Sequence, residues 1–349
     1  MKTFLFLFFS LALTPLFAEM HTQMKETKPI EYVTRPAHTC SKLYGFFVTG
    51  EFIYWKSRQE DLFTVTRFEN VQTATARNVV IHAKDAQFKF SPGFKVGLGG
   101  NLPFDGWNLY LNWTHFHNNP ITTFRSATPQ MISADRLGSG EGLPFVAGFA
   151  KVDYNLMLNV LDFTAGRRFF LSNTWIIQPS LGLKTAWIHQ TFRFNYDNVQ
   201  SVPVPNLGVI PGLPEHSVAK NNFWGIGPTF ACEGKWVFGW GLGLLGKISG
   251  ALLWGEFDQT SRSVNTEFTD GDVIPVTSSL KNKTHRVRPT CQMFLGLDWE
   301  WCFIPNRLSM QLRLGYETHY YPEQILSTIS VEASDLTLEG LTFMGRLDF

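Results

Sequence analysis

The chain has 349 residues, with 30 basic and 29 acidic side chains and a formal net charge of +1, a balance that argues against nucleic acid or any strongly charged partner. It carries 32 Phe, 11 Trp, 9 Tyr and 29 Gly, with only 17% charged residues. Such an excess of rings and glycines suits strands with aromatic girdles better than packed helices.

Residues 1–18, MKTFLFLFFSLALTPLFA, hold one Lys, an apolar run from Phe4 to Leu13 and a small residue at Ala18. They read as a secretory signal peptide cut after Ala18, because a membrane anchor needs about 20 apolar residues and this run has half that. No cysteine follows the cut, which argues against a lipoprotein. Residues 19–44 are polar and aperiodic, a periplasmic N-terminal extension. Beyond the signal no window reaches the roughly 18 consecutive apolar residues of a spanning helix, so residues 45–349 can cross a bilayer only as a closed barrel.

From Gly45 onward, segments of period two follow one another. GFFVTGEFIYWK sets Phe46, Val48, Phe52 and Tyr54 against Phe47, Thr49, Glu51 and Ile53. PGFKVGLGG sets Phe94, Val96 and Leu98 against Lys95 and two glycines, and WNLYLNWTHF sets Trp107, Leu109, Leu111 and Trp113 against Asn108, Tyr110, Asn112 and Thr114. In the fourth segment, Lys151 to Gly166, the apolar Val152, Tyr154, Leu156, Leu158 and Val160 are expected to face lipid and Asp153, Asn155 and Asn159 the lumen. The fifth, from Trp175, places Leu181 and Leu183 outward and Lys184 inward. Beyond Ile188 its apolar parity changes to Phe192, Phe194 and Tyr196, which suggests a bulge or an exit from the membrane. NNFWGIGPTFACE and GLGLLGKISGALLW continue the pattern, with Glu233 and Lys247 on their polar faces.

The last segments are the most regular. In RVRPTCQMFLGLDWEWC, Val287, Met293, Leu295, Leu297, Trp299 and Trp301 oppose Arg286, Arg288, Gln292, Asp298 and Glu300. LSMQLRLGYETHY sets Leu312, Leu314 and Tyr316 against Arg313 and Glu317. The closing LEGLTFMGRLDF sets Leu341, Phe343, Leu347 and Phe349 against Thr342, Met344, Arg346 and Asp348. A strand with one charged face fits a wall between lipid and water better than a soluble core. Ending in Phe349, it resembles the signal that the bacterial barrel assembly machinery reads.

Short connections near 101–106, 171–174, 237–240 and 303–307 alternate with long ones at about 57–86, 118–149, 198–220, 259–285 and 322–337. The expected fold is therefore all-β: a closed antiparallel transmembrane β-barrel of ten to twelve strands, with short periplasmic turns and long extracellular loops. Ten strands are evident, and FTVTRF or SVNTEF leaves room for a further hairpin. Trp55, Trp113, Tyr196 and Tyr320 would form the outer aromatic girdle and Trp107, Trp175, Trp299 and Trp301 the inner one.

The candidate functional residues are the lumen-facing charges Glu51, Lys95, Asp153, Lys184, Glu233, Lys247, Arg286, Arg288, Asp298, Glu300, Arg313, Glu317, Arg346 and Asp348, which would set ion preference in an open pore or pair across a narrow one. Cys40 and Cys302 would share the periplasmic rim and could form a disulfide, while Cys232 and Cys291 fall on lipid-facing positions. Gly241, Gly243 and Gly246 spell a dinucleotide-like pattern, but the segment continues as a strand, so they fit small lumen-side positions instead. His115 and His117 lack a third metal ligand and read as strand-end positions. No triad spacing points to catalysis, and no cofactor or metal is expected.

GEFIYWK followed by EDL, PGFKVGLG, LNWTHFHN, PSLGLKTAWI and NNFWGIGP occur in this order. As a set they resemble the Legionella-type major outer membrane protein family, which is also found in environmental chlamydiae. The resemblance implies a pore-forming outer-membrane barrel and carries no catalytic or ligand residues. The expected function is passive diffusion of ions and small hydrophilic solutes. The alternative is a closed structural barrel whose surface loops act as adhesin or envelope scaffold. Expected partners are outer-membrane lipid, the assembly machinery, the solutes and a second copy in a homo-oligomer.

Overall fold

The computed structural model describes residues 45–59, 65–72, 77–84, 88–103, 106–125, 132–133, 145–201, 212–269, 272–304, 308–326 and 333–349. Residues 1–44, where a signal peptide to residue 18 and an extension from 19 to 44 are expected and where Cys40 lies, are outside the described residues. Among the described residues all elements are strands: β1 (Gly45–Gln59), β2 (Val65–Gln72), β3 (Arg77–Lys84), β4 (Phe90–Asn101), β5 (Trp107–Asn118), β6 (Ile121–Arg125), β7 (Ile132–Ser133), β8 (Phe145–Arg167), β9 (Phe169–Phe170), β10 (Trp175–Ser201), β11 (Glu215–Gly239), β12 (Leu242–Thr269), β13 (Asp272–Ile304), β14 (Leu308–Leu326) and β15 (Ala333–Asp348).

Ten of them close a ring of antiparallel neighbours in the order β1, β4, β5, β8, β10, β11, β12, β13, β14, β15 and back to β1. β6 continues β5 past Pro120, which has no N–H to give the ladder, and β9 continues β8 past Arg168. The seam between first and last strands is paired from Phe47 with Asp348 to Gln59 with Leu336, and the backbones of Phe46 and Phe349 exchange two further hydrogen bonds. FTVTRF feeds β2, which pairs with β3 and β7 in a separate small sheet. SVNTEF lies within β12, which runs on with β13 as a hairpin to Thr269 and Asp272 through the stretch expected as a loop at 259–285.

Following direct Cα partners from Thr290 on β13 through Ala251, Thr229, Gly182, Thr164, Tyr110, Gly99, Phe47, Asp348 and Ser309 returns to β13 at Cys302, twelve residues further on. Ten strands with that stagger tilt by about 40° and hold the backbone about 10 Å from the axis. Long side chains from opposite walls therefore meet in the middle.

The wall has two zones of opposite polarity. Toward the short turns the outward positions are apolar and exposed, as at Phe52, Leu98, Leu183, Ile248, Leu295 and Phe343. On β12 this belt runs from Leu242 to Trp254, twelve steps or about 30 Å along the axis, which matches a bilayer core. Toward the long connections the inside becomes apolar: Tyr154, Leu156, Leu158, Ile188, Phe192, Phe194, Phe223 and Phe257 pack in one buried cluster. Outward positions there are Lys151, Asp153, Asn155, Arg193 and Asn195.

This corrects the fourth segment, whose Val152, Tyr154, Leu156, Leu158 and Val160 face inward while Asp153, Asn155 and Asn159 face out. The upper half of β8 stands above the lipid, where the exterior meets water and the interior is dry, so its apolar face is the inner one. β10 needs no bulge at Ile188, since its register with β8 and β11 is unbroken there. The strand leaves the membrane and its outward face turns polar. Tyr196 and Trp55 consequently point into the barrel rather than into a girdle, with Trp55 fully buried.

The β11–β12 connection is a two-residue turn in which Trp240 and Gly241 both have positive φ, 52° and 77°. A Cβ on Gly241 would lie 2.2 Å from the Glu300 carbonyl oxygen, so glycine is required there. Of the other two glycines of that sequence pattern, Gly243 faces the lumen and Gly246 faces outward.

Candidate functional site

Within the lipid-facing belt, alternation sends one polar residue in two to the lumen, and the narrow radius makes these side chains pair. Glu317 on β14 is the hub. Its carboxylate accepts from Lys95 Nζ at 2.7 Å, Gln292 Nε2 at 2.6 Å and Thr342 Oγ1 at 2.8 Å, and lies 2.9 Å from His319 Nε2. Lys95 also lies 3.4 Å from Glu51. Lower down, Arg313 reaches Asp298 at 2.8 Å and both oxygens of Glu233 at 3.0 and 3.2 Å. Lys235 pairs with Asp298 at 2.5 Å and with Glu300 at 3.1 Å. Arg346 holds Asp348 bidentately at 2.6 and 2.9 Å and lies over the Phe47 ring at 3.6 Å. Lys184 pairs with Asp162 at 3.2 Å.

Cavities remain between these pairs, two of them among the described residues of the lumen. One of about 40 Å³, near the short turns, is lined by Arg168, Glu233, Lys235, Glu300, Arg346 and Asp348. The other, of about 100 Å³, is lined by Glu51, Lys95, Tyr110, Asp162, Lys184, Lys247 and Glu317. Arg313 borders both. At roughly 10–15 Å³ of such space per water, the first holds about three or four molecules and the second about seven to ten.

Above them the apolar cluster spans the barrel. Leu253 and Phe257 from β12, Phe223 from β11, Tyr154 and Leu156 from β8 and Trp55 from β1 are all essentially without exposure. Burial pushes the phenols of Tyr154 and Tyr196, which stand above the belt, up from their ordinary range. A short polar chain crosses this level, from Tyr154 through Gln190 and Asn221 to the backbone carbonyl of Gln324. Arg288 stacks over Phe257 at 5.3 Å and bonds Glu323 at 2.6 Å. Glu323, with φ of 49°, sits where the β14–β15 pairing breaks between Tyr321 and Ile325.

The structure brings Glu51, Lys95, Lys184, Glu233, Lys247, Asp298, Glu300, Arg313, Glu317, Arg346 and Asp348 into the polar interior, with Arg288 above them in the apolar layer. Asp153 is a correction: it lies on the outer wall of β8, 3.2 Å from Lys151. Arg286 is the other. It keeps the inward parity but is exposed, because β14 pairs with β13 only from Cys291 downward and leaves Arg286 above the closed ring. Sequence reasoning missed Asp162, Arg168, Lys235 and His319. Parity carried two residues further would have found Lys235 and His319. Asp162 and Arg168 were lost with the inverted face of β8, whose even-numbered positions point inward and whose register with β10 carries on past Arg168 into β9.

Cys302 is in a disulfide, Cys232 and Cys291 carry free thiols on the lipid-facing side, and Cys40 is outside the described residues. His115 and His117 face outward beside Asn159 and Asn155. Among the described residues no group of three or more His, Cys, Asp or Glu side chains is arranged to hold a metal ion.

A belt of lipid-facing side chains around a polar lumen is the anatomy of an outer-membrane barrel, and the family described as Legionella pneumophila major outer membrane protein precursor matches residues 40–349. The chain belongs to this family. As one of these major outer membrane proteins it resides in the bacterial outer membrane. No curated protein matches it in sequence. Among solved structures it is similar to the outer membrane protease OmpT of Escherichia coli, at 9% identity over 87% of this chain and 97% of that one, TM-score 0.40. It is also similar to a FadL homologue of Pseudomonas aeruginosa (7% identity, 90% and 92% covered, TM-score 0.26) and to the toluene transporter TodX of Pseudomonas putida (6%, 90% and 92%, TM-score 0.25). These are likenesses between barrels, and no function is carried over from them.

Proposed function

We propose that the chain is a narrow channel for ions and small hydrophilic solutes, with the apolar cluster as its gate. The observation that carries this reading is the polar interior of the membrane-spanning half, where the two cavities meet at Arg313. Their walls hold acidic and basic groups in near balance, so the path favours neither sign strongly. Solute passes only when the cluster around Phe257 and Tyr154 gives way, because dry apolar constrictions block water and ions alike. Neither catalysis nor a cofactor has a part in it.

Planar-bilayer recording of purified, refolded protein is the test. Rare discrete steps of small conductance are expected, lengthened in Phe257→Ala, and their ion preference shifts toward cations in Lys95→Gln. Silent membranes at high protein load, for both wild type and Phe257→Ala, refute the channel, and turnover of peptide or lipid by the same preparation refutes the non-enzymatic reading. A second reading, a closed structural barrel acting through its long connections, is favoured by the same cluster and by the ion pairs that cross the lumen.

A further inference from the structure

Above the lipid-facing belt, the outer surface of β10 to β13 forms a grid that the strand register fixes. Directly paired outward positions run in rows: Trp187, Trp224, Glu256, His285; then His189, Asn222, Asp258, Lys283; then Thr191, Lys220, Thr260, Lys281; then Arg193, Val218, Arg262, Ser279. Lys220 and Lys281 flank Thr260, and Arg262 stands one row above, so three exposed cations lie within about 10 Å by 7 Å of sheet. None of the three has a carboxylate among its direct ladder partners. Lys283 is different, since it is taken by Glu256 at 2.9 Å. Arg193 lies at the margin, opposite Asp153 on β8.

Directly below the cations is a surface groove of about 230 Å³ lined by His189, Asn222, Trp224, Trp254, Asp258 and His285. Trp254 stacks on His285, and His189 Nδ1 lies 3.0 Å from Asn222 Oδ1. Read upward, the surface is apolar belt, tryptophans, a groove of amide, imidazole and carboxylate groups, then cations. The Lys220 row stands four residues, or about 10 Å, above Trp224, within headgroup reach for a side chain that snorkels.

We propose that this face binds the phosphorylated, acylated glycolipid of the outer leaflet: acyl chains on the belt, sugar in the groove, phosphate on Lys220, Arg262 and Lys281. The order of chemistry along the wall matches that along the lipid, and the cations supply the charge complementarity that phosphate requires. The assignment rests on the membrane placement and on the long connections facing outward, but not on conduction.

The test uses the full chain refolded in phosphatidylcholine vesicles, titrated with lipid A carrying both phosphates and, separately, with its dephosphorylated form. A cation beside an anionic surface is worth roughly fivefold in affinity, so Lys220→Gln, Arg262→Gln and Lys281→Gln together should weaken binding by at least about 20-fold. Arg58→Gln, an exposed cation on the far side of the ring, should change it less than about twofold. Equal affinity for the dephosphorylated form, or a triple variant that binds as wild type, overturns the proposal. Heat-modified mobility on gels establishes that each variant is folded, and bilayer recordings of the triple variant should match wild type, which keeps this result separate from the channel's.

Discussion

Replacing Glu317 by Ala removes the acceptor on which four donors converge. Lys95 and Glu317 are 5% and 2% exposed, so solvent barely screens the loss. Lys95 keeps Glu51 at 3.4 Å, and Gln292 keeps its bonds to Ser249 and Lys184, so the cost is less than the sum of four charge-assisted bonds. Removing one partner of a buried ion pair costs about 3–5 kcal/mol, and that range is expected here. Urea titration of the protein refolded in lipid vesicles, followed by tryptophan fluorescence, measures it as a lower midpoint at unchanged slope. The double change Lys95→Met with Glu317→Leu should recover only part of the loss, because it removes the stranded Lys95 charge but leaves Glu51 without its cation. Single substitutions costing under about 1 kcal/mol, or a double-mutant cycle additive within about 0.5 kcal/mol, would show that the pair is not coupled and that the lumen is wetter than its geometry implies.

Phe257→Ala empties a fully buried site against Phe223, whose ring lies at 4.6 Å, and should cost about 3–5 kcal/mol in the same titration. Leu295→Arg, at an exposed position in the middle of the belt, should cost about 2–4 kcal/mol in bilayers. Gly227→Ala would put a Cβ 1.7 Å from the Leu252 carbonyl oxygen and should destabilise by about 1–3 kcal/mol or more, whereas Gly234, with nothing within 4 Å, should accept alanine freely. With Cys232 and Cys291 changed to Ala, a cysteine at Asp153 or Arg286 should react with an impermeant maleimide added to whole cells at least about tenfold faster than one at Lys184, which is 4% exposed; equal rates would mean that the two corrected residues do line the lumen.

Within the lipid-crossing part of a strand, the residues themselves declare both faces. β13 and β15 follow a single rule from Cys291 and Thr342 to their ends, and every charge assigned there points inward. β8 and β10 were harder because each obeys two rules. Leu161 and Phe163 face lipid, yet at Asn155 and Asp153, six and eight residues before Leu161 on β8, the outward side chains are polar. Period two is the same in both zones, and only the solvent outside changes. Alternation alone therefore cannot tell a lipid-facing row from a core-facing one. Two polar outward residues in succession, as at Asp153 and Asn155, are the local sign that the strand has left the membrane. The pairings that cross the lumen, such as Arg313 with Glu233, follow from radius and stagger, which only the closed ring reveals.

The seam between β1 and β15 joins residues nearly three hundred positions apart, and it completes the ring. Until the final strand arrives the sheet is a curved ribbon with two unsatisfied rims, each able to recruit a strand from a stranger. Such a molecule closes late and slowly, because its decisive contacts are its most remote ones. Dilution or a templating escort at that rim then decides between a sealed cylinder and a tangle.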